Sequence, residues 1–444
     1  MFKTVANAWK VPEFRKKILF TLLVIVIFRI GSVIPVPFLD TTALSNLMNE
    51  SAADGTALGY LNMLSGGAFA QATLFALSIT PYINASIIMN LLAVAIKPLE
   101  RLAKEGAEGQ KKLNTITRLL TIGIAVVSAT GYYFYLRNSR DPSGNSITMY
   151  NSGASQWFSA IVIVLTFTAG AALLMWLGEQ INKRGIGNGI SIILFAGIVA
   201  RMPTIINYLI SYFKEAVEYP TLFGQYFVLV PIFALIFFAL VWFIVFMNDS
   251  ERRIPVQYAK RVVGRKMYGG QNTHIPIKIG GTGVMPVIFA SSLLSIPSTI
   301  QVFLGDKVTG FWKGFLDAFS SSGWIYCVVY AVLIFMFAFF YMSIQYNPLE
   351  MANNLKQNHG TIPGIRPGRP TSDYISKVLS KLTLIGAFFL AIIALVPIVY
   401  GAATGMGNLG MSGTSIIILV GVALETVKQI ESQMMMRSYK GFLD

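Results

Sequence analysis

Charge is scarce in this chain: 12% of its 444 residues are Asp, Glu, Lys or Arg, against about 25% in a soluble domain. So few charges cannot cover a chain that is 54% hydrophobic, and an ordinary water-soluble globular fold is excluded. The single cysteine, Cys327, excludes an internal disulfide framework and a cysteine-based zinc site. Two histidines, His274 and His359, are too few for a His-rich metal centre. No phosphate-binding loop of the form G-x-x-x-x-G-K followed by Ser or Thr occurs, so nucleotide hydrolysis is not expected. The apolar segments hold no paired acids and no histidine cluster. Neither an enzyme nor a cofactor or metal is therefore expected.

What the chain does have is apolar length. A hydrocarbon core of about 30 Å takes on the order of 20 apolar residues per helix. Ten runs approach that measure: 18–34, 73–96, 119–136, 157–177, 186–200, 222–247, 283–303, 324–341, 382–400 and 414–428. The fifth and tenth are short. The first lacks a small-residue cleavage pattern and reads as a retained span. Lys and Arg outnumber Asp and Glu by 35 to 20. Taking alternate connecting segments together puts 28 of these cations on one side and 6 on the other, with Arg29 inside the first span. The positive-inside rule then places both termini in the cytoplasm. Segments 250–280 and 347–376 are long, basic and cytoplasmic on this count, which marks them as partner-binding loops.

Two patterns recur five spans apart. Pro81-Tyr-Ile-Asn-Ala-Ser86 in the second span matches Pro286-Val-Ile-Phe-Ala-Ser291 in the seventh. Gly189, Ser191, Ile192, Ile193 and Gly197 in the fifth span match Gly413, Ser415, Ile416, Ile417 and Gly421 in the tenth. Because five is odd, a duplicated five-helix unit enters the membrane from opposite sides in its two copies. The expectation is an all-α polytopic membrane protein of ten transmembrane helices in two pseudo-symmetric inverted five-helix halves, 1–215 and 216–444.

Such halves place a working site between them, near the midplane. A small-solute secondary transporter would fit the same repeat, but its midplane should be polar or charged. Here the matched segments offer aliphatic side chains instead: Ile79, Ile83, Leu194, Ile288, Leu293 and Ile418. These read either as ordinary helix packing or as an apolar constriction that excludes ions by dewetting and parts around something larger. The outer segment between spans one and two ends in Leu61-Asn-Met-Leu-Ser-Gly-Gly-Ala-Phe-Ala-Gln71. It is too short to span, and reads as either a re-entrant segment or a plain surface helix.

Several stretches together resemble the SecY family of protein-conducting channels, relatives of the alpha subunit of the eukaryotic translocon. They are Arg29-Ile-Gly-Ser-Val-Ile-Pro-Val-Pro37, Leu61–Gly67 leading to Pro81–Ile88, Met175-Trp-Leu-Gly-Glu-Gln180 with Gly185–Ser191, Glu251–Val256 with Tyr258-Ala-Lys-Arg261, and Pro363-Gly-Ile-Arg-Pro-Gly368. The resemblance implies a clamshell of two halves, with the six aliphatic residues above as its pore ring. It implies a plug at about 57–72, carried by Leu61, Asn62, Met63, Leu64, Ser65, Gly66 and Gly67. It implies a lateral gate between spans two and seven, with Asn84, Asn90, Ser291 and Ser292 among its polar groups. Arg252, Arg253, Lys260, Arg261 and Arg366 resemble residues that contact the SecA motor or the ribosome. By the same implication the partners are the small subunits SecE and SecG, SecA, the ribosome through its rRNA, signal peptides with nascent secretory or membrane proteins, and the lipid of a bacterial cytoplasmic membrane. Leu194 and Leu293 depart from the isoleucine common in that ring, and the outer loop around 141–155 is longer than usual.

Overall fold

The computed structural model describes residues 9–45, 65–139, 146–150, 153–220, 224–258, 261–263, 266–268, 272–281, 283–304, 323–404 and 413–440. Of the expected plug, Leu61, Asn62, Met63 and Leu64 lie outside them. So do Lys260, the side chain of Arg261, and much of the long outer loop.

Helices stand at all ten expected positions. In chain order the elements are α1 (Pro12–Gly31), α2 (Thr80–Ala95), α3 (Lys97–Lys104), α4 (Ala107–Asn138), α5 (Gly153–Arg184), α6 (Gly189–Glu218) and α7 (Tyr226–Asp249). The strands β1 (Glu251–Tyr258), β2 (Arg261–Val263), β3 (Lys266–Tyr268) and β4 (Asn272–Lys278) follow. Then come α8 (Met285–Leu304), α9 (Trp324–Gln345), α10 (Pro348–Gln357), β5 (Gly360–Thr361), α11 (Arg369–Thr404) and α12 (Gly413–Lys440). Among the described residues seven helices are long and apolar enough to cross a bilayer, and α2 with α3 adds an eighth if the 102° bend between them is counted within one span. The N-terminal turns of α1 carry Arg15, Lys16 and Lys17, whose stems can lie along apolar surface while their charges reach water.

Local chemistry explains where helices start. Pro12, Pro81 and Pro98 sit in the first two positions of α1, α2 and α3, where a missing N–H costs nothing. Asn188 caps α6, its side-chain oxygen accepting from the N–H groups of Ile190 at 3.1 Å and Ser191 at 3.5 Å. The fifth span, expected to end at Ala200, is helical to Glu218. Arg201 and Pro203 interrupt the apolar run, yet neighbouring helices tolerate an interior proline in such a setting.

The two basic loops, expected as separate, share one sheet. β1 pairs antiparallel with β4 from Glu251↔Lys278 to Gln257↔Asn272, and with β5 through Gln257↔Thr361 and Tyr258↔Gly360. Ile254, Val256 and Ile277 bury one face of it against Leu355, Ile362 and Ile375. The largest core cluster runs through α1, α2, α5, α6, α7, α8, α9, α11 and α12, joining both halves.

Candidate functional site

Five of the six expected ring residues meet in that central cluster: Ile79, Ile83, Leu194, Ile288 and Ile418, none more than 8% exposed. Their positions obey the repeat. Ile83 and Ile288 are each three residues into a helix, α2 and α8. Leu194 and Ile418 are each five residues into α6 and α12. Ile79, Ile83 and Ile87 recur every fourth residue and so form one stripe along α2. Leu293 does not join them. It is 43% exposed, because five residues past Ile288 is a rotation of about 140° around the helix. Both the matched segments and the family resemblance offered Leu293, and neither carries that phase. Ile190, one turn before Leu194 on the same face of α6, packs against the cluster.

The lead-ins to α2 and α8 also correspond. Leu74, six residues before α2, donates its N–H to Ile34 O at 2.9 Å, just past α1. Ile279, six residues before α8, donates to Ser250 O at 3.0 Å, just past α7. Next to each bond lies an antiparallel pairing, Pro35↔Thr73 in one half and Glu251↔Lys278 in the other. A glycine closes each arrangement: a Cβ on Gly170 of α5 would lie 1.9 Å from Leu74 O, and one on Gly386 of α11 2.8 Å from Ile279 O.

Ser65, Gly66 and Gly67, the described end of the expected plug, begin a buried series of turns reaching Ile79. This excludes a plain surface helix over 65–79 and agrees with backbone kept irregular only where protein surrounds it. The Ser65 hydroxyl oxygen accepts from Phe69 N–H at 2.9 Å. Tyr132 of α4 donates its hydroxyl to Phe69 O at 2.7 Å and stacks on the Phe69 ring, centroids 4.3 Å apart. Phe69, Ala72 and Ala76 bury against Val36, Leu39, Tyr133 and Ile147. Ile147 belongs to the long loop between α4 and α5, and its carbonyl accepts from Asp40 N–H at 2.9 Å while Met149 N–H donates to Phe38 O at 3.1 Å. Hydrogen bonds from Thr42 and Ala43 hold the Asp40 carboxyl below its ordinary pKa.

α8 touches both α2 and α4 across the junction of the halves. Ser291 and Ser292 are buried there, Ser291 donating to Ile288 O on its own helix at 2.9 Å. Asn84 is half-buried and Asn90 exposed. Glu179 of α5 takes a two-pronged bond from Arg118 of α4, both contacts at 2.6 Å. On the sheet side Arg252, Arg253 and Arg366 are exposed. Arg253 pairs with Glu251 at 2.7 Å. Arg366 projects from a loop whose Ile362 is buried and whose Gly364 and Gly368 have φ of 79° and 105°.

Residues 73–427 match the family model described as SecY. A protein translocase subunit SecY from Streptomyces scabiei is 45% identical over 450 residues, covering all of both chains. Among solved structures, a SecY channel studied for the plug that stabilises its closed state has a TM-score of 0.62 at 18% identity, covering 96% of each chain. Sec61 in a canine ribosome–channel complex has a TM-score of 0.61 at 20% identity over the same shares.

Proposed function

Since this chain belongs to the SecY family, it is the protein-conducting channel subunit of a bacterial cell membrane, and we propose that unfolded secretory chains pass between its two halves through the Ile79, Ile83, Leu194, Ile288 and Ile418 ring. The observation that carries this reading is the convergence of those five side chains from four repeat-related helices into one apolar cluster. A ring of flexible aliphatic groups blocks ions when closed and yields around a polypeptide when open. A small-solute transporter is not supported: the centre is apolar, and the family is one of translocases.

The halves are residues 1–215 and 216–444, with both termini cytoplasmic on the charge count. The segment around 57–72 plugs the outer side, and α2 with α8 forms the lateral gate. A signal's apolar h-region of about 7–15 residues gains roughly 0.8 kcal/mol per buried CH₂ on entering lipid. That gain biases the gate toward open, and Asn84, Asn90, Ser291 and Ser292 tune how large it must be. The chain itself makes and breaks no covalent bond, so directional work comes from a docked partner. SecA and the ribosome are the two sources, received on the sheet-borne loops through Arg252, Arg253, Lys260, Arg261 and Arg366; the solved canine relative sits in a ribosome complex. rRNA phosphates would make that contact salt-sensitive. SecE and SecG complete the assembly.

The test is ATP-dependent protection of a secretory precursor from protease in vesicles holding this chain, SecE, SecG and SecA. Protection is expected. Uptake of small solutes with no precursor protection would overturn the reading.

A further inference from the structure

Gly66 touches two other elements at once. Its backbone has φ +66°, a conformation that favours glycine. A Cβ at this position would lie 3.0 Å from the carbonyl oxygen of Gly197 and 3.1 Å from its Cα, so two backbones are in direct contact. Gly197 is on α6, three residues beyond Leu194 of the ring. From the other side Arg29, near the end of α1, donates from Nη1 to the Gly66 carbonyl at 3.4 Å. The Ser32 hydroxyl donates to Arg29 O at 2.7 Å, fixing the turn from which this side chain leaves. A guanidinium in an apolar span is costly unless it faces protein or water. Among the described residues none of the ion pairs includes Arg29.

We infer that Arg29 is a latch, a positioning residue that holds the start of the buried turns on Gly197 and so sets the threshold a signal must overcome. This rests on the plug reading of Leu61–Gln71. The acceptor is a backbone carbonyl, so the latch requires a long cationic donor on α1 and no particular side chain on the plug. It acts in the closed state only. Losing it shifts the closed-to-open ratio and leaves the ring intact.

The test uses the full chain with its partner subunits in membranes, carrying Arg29→Met, Arg29→Lys, Gly66→Ala, or Arg29→Met together with Gly66→Ala. Two quantities are measured at equal amounts of inserted chain: export of a precursor whose h-region is interrupted by a charge, and ion leak through idle channels. Arg29→Met is expected to raise both roughly three- to tenfold, the loss of one long hydrogen bond of 3.4 Å. Arg29→Lys, which keeps a cationic donor, should raise them less. Gly66→Ala should raise both, and the pair should exceed the larger single effect only slightly, because both changes break one contact. Should Arg29→Met fail to insert, the shorter and uncharged Arg29→Gln carries the same expectation. Normal behaviour of Arg29→Met beside a loosened Gly66→Ala would overturn the latch and leave the plug standing. No change in either variant, nor in a chain lacking residues 61–67, would overturn the plug reading itself.

Discussion

The two halves start their gate helices the same way and then spend their insertions differently. In each, a residue six positions before the helix bonds back to the chain just past the half's first span, through Leu74 and Ile34 or Ile279 and Ser250. From that shared start the N-terminal half extends a buried segment tied to α4 and to the long loop between α4 and α5. The C-terminal half extends the β1–β4 hairpin, which takes on β5 and displays arginines. Duplication thus fixed a frame, and the two segments that leave it at matching points are built differently: a buried series of turns in one half, a β-sheet with exposed arginines in the other.

The strongest way to break this correspondence is to crowd both glycines that close the hinges. Gly170→Ala places a Cβ against the Leu74 carbonyl at 1.9 Å, where backbone has to move, and is expected to cost about 3 kcal/mol. Gly386→Ala meets the Ile279 carbonyl at 2.8 Å and should cost about 1 kcal/mol. Thermal unfolding of the purified chain in detergent ranks them, and an equal or reversed ranking would mean that Gly170 is not the more tightly packed of the two.

A functional split between the insertions should appear next. Arg366→Glu reverses an exposed charge in the loop after β5, and motor-driven export is expected to fall roughly tenfold, the size of one lost charged contact. Stringency toward weak signals and insertion of the channel should stay normal. Undiminished export would reduce the loop to an orientation signal.

The smallest expected effect sharpens the shared centre. Asparagine at Ile83, Ile288 or Ile418 should raise export of a signal-defective precursor roughly fivefold by wetting the ring, whereas Leu293→Asn, outside the cluster, should change it little. Equal effects at Leu293 and Ile288 would erase the distinction between the faces of α8.

Much of the helical frame was legible because apolar runs and cation placement are properties of single residues in order. The repeat was legible in Pro81 and Pro286, which serve the same start-of-helix role in both halves. The hinge bonds left no trace, since Leu74 and Ile279 contribute only backbone groups. The sheet joining the two loops did leave one: Ile254 and Val256 are buried between exposed neighbours, a two-residue period. Pro255 and the charges around it mask so short an alternation. Leu293 stands apart from the other five because helical phase turns it off the face of α8 that carries Ile288, a difference that composition and repeat matching do not register.

The most direct measurement stalls a secretory precursor midway and places a photo-cross-linker at successive positions along it. The account predicts that probes at the narrowest point label Ile79, Ile83, Leu194, Ile288 and Ile418, from both halves at once, and leave Leu293 unlabelled. Labelling confined to one half, or to lipid-facing residues, would contradict a passage between the halves.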